Sequence, residues 1–312
     1  MPSSTYAHGV PCDTLPIVPR TPGFHRILFA VNGSEHSAAT VPIVAAIANK
    51  SHAEVLVSHV WNAGDVRLGH DDDLSGRRND ETYVHAVVER LSKAGVSAVG
   101  ESVETTNESV AAFIVSRADS FHADLIAMGN RGLSELHTFL IGSRTQQVLA
   151  RATGPVLAVR HARHRGGRGI GRIVLALDSS ADCGSAVRAC VEIARSASVQ
   201  VEVIDFGKRN GRWLSAVSAR LAKHGITPTW RHARNAFHAA DEIVAAASDF
   251  RADLVVIGLT RRRVGTPLAP EVMTRLLHSC PCPLLVAPAE EPATDRRTPT
   301  AAQVSGVRME IR

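Results

Sequence analysis

The stretch that decides the fold is RILFAVNGSEHSAATVPIVAAIA, residues Arg26–Ala48. It begins with a continuous apolar run, turns through Asn32-Gly33-Ser34, and continues into an alanine-rich segment with apolar residues at helical spacing. A short continuous apolar run is typical of a strand that is buried on both faces of a parallel sheet. A turn of small polar residues followed by helical periodicity predicts a helix. The stretch therefore predicts a strand–turn–helix unit.

The same pattern occurs again at Arg172–Ala194, RIVLALDSSADCGSAVRACVEIA. Four further segments of the first half have counterparts in the same order in the second half: AEVLVSHVW with VQVEVIDFG, KAGVSAV with KHGITPT, HADLIAMGN with RADLVVIGL, and GPVLAV with CPLLVA. Each half thus contains five predicted strands with intervening helices, which implies parallel strands joined by right-handed crossovers. We predict an α/β protein of two tandem doubly wound domains, each with helices on both faces of its sheet.

Changes in composition along the chain suggest where these domains begin and end. Residues 1–23 are rich in proline and lack the apolar stretch of a signal peptide, which predicts a disordered arm. Residues 24–160 form the first predicted domain, 161–171 a linker rich in Gly, Arg and His, and 172–288 the second domain. The polar tail, 289–312, is predicted to be disordered.

The first half carries an extra segment, Asn62–Asp80, between its second strand and the next helix. Its sequence, NAGDVRLGHDDDLSGRRND, is charged and poor in apolar residues, which predicts a flexible surface loop. His70 and the adjacent Asp71–Asp73 make a weak metal site, because neighbouring residues cannot all face one ion.

The composition excludes several classes of function. The chain has 312 residues, a formal charge of +5, 45% hydrophobic and only 4% aromatic residues. Its basic stretches, HARHRGGRGIGR and TRRR, lack the interleaved aromatic residues of nucleic-acid-binding surfaces, so we interpret them as solvated linker and loop. No run approaches the ~20 apolar residues that span a membrane.

The five cysteines are odd in number and irregularly spaced, which argues against a disulfide framework or a zinc site. We interpret Cys280 and Cys282 as small residues that pack at a helix–strand junction. Cysteines used in this way predict a cytoplasmic protein.

Small residues after the fourth strand of the first half predict a ligand site. In an open parallel sheet, ligands bind outside the carboxyl ends of the strands, where the strand order reverses. Gly129 and Gly132 would let the backbone approach a ligand closely. Glycine is also common in ordinary loops, so either residue alone favours a structural role.

The next predicted helix, SRTQQVLARA, follows Gly142 and begins at Ser143. The first N–H groups of a helix have no partner within it and carry the positive end of its dipole, which makes an anion site. Ser143 and Thr145 add hydroxyl donors, although serine is also an ordinary N-cap. A P-loop is excluded, because no Gly-Lys-Ser/Thr sequence is present. Taken together, the small residues favour a nucleotide.

These segments resemble the universal stress protein family. Its ATP-binding members carry the pattern G-x2-G-x9-G-[S/T] after strand four, which this chain matches at Gly129, Gly132, Gly142 and Ser143. The resemblance is strong over about residues 24–160 and weaker over 170–288. The chain thus resembles a tandem member of the family.

The resemblance implies five parallel strands in the order 3-2-1-4-5 in each domain, with ATP, with or without Mg²⁺, across the carboxyl edge. It also implies that an aspartate after strand one contacts the adenosine and that the glycine loop holds the phosphates. The matching positions are Asn32, Val60, Met128, Gly129, Gly132, Gly142, Ser143 and Arg144. Arg131 and Thr145 complete the set of candidate ATP-binding residues.

The chain departs from the family pattern in both halves. Asn32 replaces the aspartate of the first half and so lacks its charge. The second half keeps the aspartate as Asp178 and the first glycine as Gly258, but Arg261 replaces the second glycine. Pro270-Glu271 stands near the Gly-Ser position, where the glutamate would repel a phosphate. We therefore predict one working ATP site, in the first half.

The resemblance implies a regulatory, stress-response binding module rather than an enzyme. Two alternatives stay open: a slow ATP hydrolase, for which His59, Arg131 and Arg144 are the candidate residues, and an interaction protein with a relic pocket. No acid–base pair stands at a convincing spacing. The family also implies pairing through strand five, either in a homodimer or between the two halves, and a protein partner that the sequence does not identify.

Overall fold

The structure is a computed structural model that describes residues 23–33, 40–62, 74–105, 109–130, 144–160, 169–178, 184–194, 199–206, 211–234, 238–259 and 270–288. The predicted tail and all but Gly23 of the predicted N-terminal arm lie outside these residues. Most of the predicted linker does too, but Ile170 near its end is buried in the core. The domain boundaries themselves stay predictions.

The described residues form ten strands and eight helices. The elements of the first half are β1 (Arg26–Val31), α1 (Val41–Ser51), β2 (Glu54–Asn62), α2 (Leu74–Lys93), β3 (Ser97–Thr105), α3 (Val110–Ser120), β4 (Leu125–Asn130), α4 (Arg144–Arg151) and β5 (Val156–Arg160). Those of the second half are β6 (Arg172–Leu177), α5 (Gly184–Ala194), β7 (Gln200–Asp205), α6 (Gly211–Ala222), β8 (Thr229–His232), α7 (Ala239–Asp249), β9 (Leu254–Leu259), α8 (Pro270–Ser279) and β10 (Leu284–Pro288).

All ten strands belong to one sheet, in the order β3-β2-β1-β4-β5-β10-β9-β6-β7-β8. Within each half the strands pair in parallel and follow the order 3-2-1-4-5. The predicted fold class, two tandem doubly wound α/β units, is therefore confirmed.

The core lies on both faces of this sheet, because successive side chains of a strand point to opposite faces. In β1, Ile27 and Phe29 pack on one face, whereas Leu28 and Ala30 pack on the other. Helices α1, α2, α5 and α6 cover the first face, and α3, α4, α7 and α8 cover the second. Burial on both faces explains why the strands are continuously apolar in sequence.

The two halves also share a detail at the amino edge of the sheet. The carboxylate of Asp124 accepts hydrogen bonds from the backbone N–H groups of His25 and Arg26, at 2.8 and 3.0 Å. Asp253, its counterpart in the second half, accepts from Gly171 and Arg172 at 2.9 and 2.8 Å. In each half this carboxylate fixes the start of the first strand beside the fourth.

The halves join through their fifth strands, β5 and β10, which are antiparallel. Leu157 pairs with Leu285, its counterpart in the repeat, so a pseudo-twofold axis passes between these two residues. The predicted contact between the halves through strand five is therefore present. Because β5 pairs with β4 on one edge and β10 on the other, a homodimer through this strand would have to break the contact inside the chain.

Helix contacts support the junction on both faces of the sheet. Gln146 Nε2 in α4 donates a 3.0 Å hydrogen bond to Thr274 Oγ1 in α8, again between counterparts of the repeat. On the other face, Lys50 Nζ in α1 donates to the carbonyl of Ile193 in α5 at 2.8 Å. The burial that accompanies this contact lowers the pKa of Lys50.

The loop prediction for the extra segment of the first half is wrong at both ends. Asn62 completes β2, and Leu74–Asp80 form the first two turns of α2. A charged, apolar-poor sequence can form a helix on the surface, and Asp71–Asp73, which precede it in sequence, carry the charge that favours a helix N-terminus. Residues 63–73, with His70, lie outside the described residues.

The close packing of α2 on β3 predicts a large effect of Gly100→Ala. A Cβ at Gly100 would lie 2.5 Å from Cγ1 of Val84 and 3.0 Å from Cγ2 of Val88. We expect overpacking to lower the free energy of unfolding by about 1–3 kcal/mol, measured by urea denaturation. The control is Gly154→Ala, where no atom of the described residues lies within 4 Å of the added Cβ. Equal effects of the two changes would contradict the packing described here.

Candidate functional site

The candidate site lies at the carboxyl edge of the first half, where β1 stands between β2 and β4. Val31 pairs with His59 of β2, and Ala30 pairs with Met128 of β4. The crossovers from β1 and β2 use helices on one face, whereas those from β3 and β4 use helices on the other. The strand order therefore reverses between β1 and β4, and this is where open α/β sheets bind ligands.

Three of the predicted site residues meet at this edge. Asn32 directly follows β1 and is half-buried, while Val60 near the end of β2 is only 4% exposed. Met128 of β4 is 5% exposed and belongs with Val60 to the same buried cluster. The edge thus offers apolar walls from β2 and β4 with a neutral amide between them.

The turn after Asn32 needs a glycine. Gly33 has a φ of +73°, in the left-handed region that other residues rarely adopt. Among the described residues, no atom lies within 4 Å of the position of a Cβ at Gly33.

Gly129 of β4 and the start of α4 lie on the β4 side of the candidate site. Gly129 pairs with Val159 of β5 and is half-buried. Arg144, the first residue of α4, is exposed, whereas Thr145 is only 3% exposed. Val148 of α4 packs in the same cluster as Met128, which holds this helix against the β4 side of the sheet.

Four of the predicted site residues, Arg131, Gly132, Gly142 and Ser143, lie outside the described residues. The phosphate-binding role of the segment between β4 and α4 therefore stays a prediction. The described part of α4 runs from Arg144 to Arg151, and Ser143, where the sequence predicts the start of this helix, lies outside the described residues.

His59, considered for catalysis, lies on the other face of the sheet from Val60, because adjacent strand residues alternate. It is 6% exposed, and its Nδ1 lies 3.5 Å from Oγ of Ser102 on the neighbouring strand β3. This contact gives His59 a role in joining the ends of β2 and β3. The pairing of residue 59 with residue 102 depends on strand register, which the sequence alone does not reveal.

The equivalent edge of the second half is built differently. Asp178 follows β6 and is 2% exposed, and Asp205 at the end of β7 is 3% exposed. Nδ1 of His232 lies 4.0 Å from Oδ2 of Asp205. Helix α8 begins at Pro270 with Glu271 exposed in its first turn. The acidic start of α8, where the first half has its proposed phosphate-binding helix start, makes this edge a poor place for a phosphate.

Metal and membrane sites do not emerge from the part of the chain that the structure describes. Within it, no three His, Cys, Asp or Glu residues gather in a way that could hold a metal ion. Nor does any helix there combine the length and apolar character needed to cross a membrane.

Comparison with known proteins adds an independent line of information. The model of the universal stress protein family matches residues 23–160 and 209–288. A Thermus aquaticus protein described as a universal stress protein in the QAH/OAS sulfhydrylase 3′ region is 33% identical over 140 residues, which are 44% of this chain and 99% of that protein. The Bacillus subtilis universal stress protein YxiE is 27% identical over 150 residues, 44% of this chain and 99% of its own length.

Solved structures agree about the fold. A universal stress protein from Archaeoglobus fulgidus superposes with a TM-score of 0.64, over 84% of this chain and 98% of its own. Its sequence is 18% identical, so this similarity concerns the fold alone. The match covers most of the chain, which is the extent expected of two tandem units.

Proposed function

The chain belongs to the universal stress protein family, and from that premise we propose that its first half binds an adenine nucleotide, ATP in particular. The proposed site is the crevice between the carboxyl ends of β1, β2 and β4. The observation that carries the proposal is the meeting of Asn32, Val60 and Met128 at the point where the strand order reverses. An apolar wall with a hydrogen-bonding amide suits a purine base and its ribose.

The phosphates are proposed to lie at the start of α4. Gly129 would allow close backbone approach, and the exposed Arg144 supplies a positive charge at the helix N-terminus. Because Thr145 is 3% exposed, we propose that it contributes its backbone N–H rather than its hydroxyl. Arg131, Gly132, Gly142 and Ser143 complete the proposed site on the strength of the sequence motif.

A regulatory role, rather than catalysis, is the proposed use of this nucleotide. Hydrolysis requires a positioned water and groups that stabilise charge on the phosphates. His59 lies on the other face of its strand and contacts Ser102, which leaves it poorly placed for that chemistry. The chain is therefore proposed to be a binding protein of the stress response, with the cytoplasm as its compartment.

A contact between the two halves could transmit the effect of nucleotide binding from the first half to the second. Gln146, two residues after the start of α4, hydrogen-bonds to Thr274 of the second half. A ligand bound at the first turn of α4 would thus contact the same helix that hydrogen-bonds to α8. We propose that the second half, whose own edge is acidic, responds to the first instead of binding ATP.

The direct test is calorimetric titration of the full chain with ATP, with and without magnesium. We expect saturable binding of ATP with or without magnesium, and weaker binding of a nucleotide whose base is a pyrimidine. A chain that gives no heat of binding with ATP, ADP or AMP under either condition is better described as an interaction protein with a relic pocket.

An Asn32→Asp variant is expected to bind ATP about tenfold more tightly. A hydrogen bond to an ionised acceptor contributes about 1.5–3 kcal/mol, compared with about 1 kcal/mol for a neutral one. Calorimetry at matched ionic strength measures the difference. The reciprocal change Asp178→Asn, in the second half, should leave ATP affinity unaltered. A loss of affinity of about tenfold on that change would show that the assignment of the site to the first half is wrong.

A further inference from the structure

Two cysteines meet at the turn between α8 and β10. Cys280 directly follows the last residue of α8, and Cys282 stands two residues before β10 begins. The sulfur atoms lie 3.9 Å apart, and each residue is 7% exposed beneath the exposed Pro281. The expectation that these cysteines pack at a helix–strand junction is therefore correct, but it does not account for the approach of the two sulfurs.

The surroundings give the two thiols different properties. A hydrogen bond from Cys282, and the nearby charge of Arg160 at the end of β5, lower the pKa of Cys280. The contact with Cys280, together with burial, raises the pKa of Cys282. The remaining charged neighbour that acts on the pair is Asp253, which also raises the pKa of Cys282. Of the two, Cys280 therefore loses its proton more readily.

We propose that Cys280 and Cys282 form a reversible dithiol–disulfide site whose oxidant is a small-molecule disulfide. The separation of 3.9 Å is a non-bonded contact, and a disulfide bond of roughly 2.05 Å requires the sulfurs to approach further. Because both cysteines lie on the same short turn, their sulfur atoms can approach each other through a local adjustment, without a rearrangement of the fold. The inference does not depend on the nucleotide site.

The reaction proceeds by two thiol–disulfide exchanges. The thiolate of Cys280 attacks one sulfur of the oxidant, forms a mixed disulfide and expels the other half as a thiolate. Cys282 then loses its proton and attacks the sulfur of Cys280, which releases the second half. Counted from the dithiol, the pair loses two electrons and two protons, one from Cys280 before the first attack and one from Cys282 before the second. The electrons pass to the oxidant, and the two protons convert its two released thiolates into thiols.

The site lies against the junction of the two halves. Leu284, two residues after Cys282, pairs with Ala158 of β5, and Arg160 ends the same strand. A disulfide in this turn would therefore tighten the segment that leads into the junction. Cys190 provides a contrast within the same chain, since complete burial raises its pKa to about 12 and leaves it unreactive.

The test exposes the reduced full chain to glutathione disulfide in native buffer, followed by acid quenching, alkylation under denaturing conditions and peptide mass spectrometry. We expect the peptide with Cys280 and Cys282 to lose two hydrogen atoms, to escape alkylation and to recover both thiols with dithiothreitol. The Cys190→Ser control should behave identically. The Cys282→Ser variant should stop at one glutathione adduct on Cys280, whereas Cys280→Ser should form several-fold less adduct on Cys282.

Other results would overturn the proposal. These are alkylation of both thiols after prolonged exposure of the folded chain, a disulfide that forms only in denaturant, or a disulfide that joins either cysteine to another part of the chain. Equal adduct yields in the two single variants would overturn the assigned order of attack. Circular dichroism of each variant establishes that the chain is folded in every comparison.

Discussion

A Gly142→Glu variant is expected to lose affinity for ATP by about 100-fold, the largest effect on binding that the proposed site predicts. In the motif, Gly142 stands two residues before Arg144, the first described residue of α4, where the phosphates are proposed to lie. The new side chain would occupy space reserved for the ligand, and its carboxylate would repel the phosphates. Calorimetric titration of both chains with ATP measures the loss.

The matched control is Gly154→Glu, which adds the same side chain and charge to the same half. Gly154 lies in the turn between α4 and β5, and in the part of the chain that the structure describes no atom lies within 4 Å of the position of an added Cβ. This turn is at the opposite end of β5 from the proposed site, so affinity should stay within about twofold of the parent chain. Unaltered binding by Gly142→Glu would mean that the phosphate site is assigned to the wrong residues.

A Leu157→Ala variant is expected to lower the free energy of unfolding by about 2–5 kcal/mol. Leu157 is fully buried in β5 and pairs with Leu285 across the junction of the two halves. Its removal leaves a cavity at the centre of the ten-stranded sheet, where both halves contribute to the packing. Urea denaturation followed by circular dichroism measures the change.

A double-mutant cycle separates the junction from the rest of the core. Leu157→Ala and Leu285→Ala should couple by at least about 0.5 kcal/mol, since neighbouring residues share the cavity. Val99→Ala provides the control, because Val99 is 61% exposed on the edge strand β3 and should shift stability by less than about 0.5 kcal/mol. Strict additivity of the two leucine changes would show that the halves pack independently.

The fold could be predicted from sequence because local and repeated signals agree. Continuous apolar runs such as ILFAV and LVVIG predict strands that are buried on both faces of a sheet. The repeat of the whole strand–helix order then supports the same interpretation twice. The helical start of α2 was missed because a charged, apolar-poor segment carries almost no periodic signal, although charged helices are stable on a surface.

The site was predictable only in part. The positions of Asn32, Val60 and Met128 at strand ends follow from the sequence, because the carboxyl ends of parallel strands meet at one edge. Contacts that depend on strand register or tertiary packing were not accessible. These include the pairing of His59 with Ser102 and the meeting of Leu157 with Leu285.

The two halves make complementary use of one architecture. The first keeps the proposed phosphate motif and an amide at the end of β1, whereas the second has the buried Asp178 and an acidic start to α8. Their fifth strands occupy each other's edges, which removes an exposed apolar edge from both units. The proposed division is therefore one half for the ligand and one half for structure and response.

The amount of nucleotide bound per chain decides whether the first half alone binds the ligand. Purified protein is denatured, and the released small molecules are identified and quantified by chromatography against the protein concentration. We expect close to one adenine nucleotide per chain, and none from the Gly142→Glu variant. Two nucleotides per chain would contradict the proposal that the second half binds no ATP. No released nucleotide, together with no heat of binding on titration with ATP, would contradict the proposed nucleotide site in the first half.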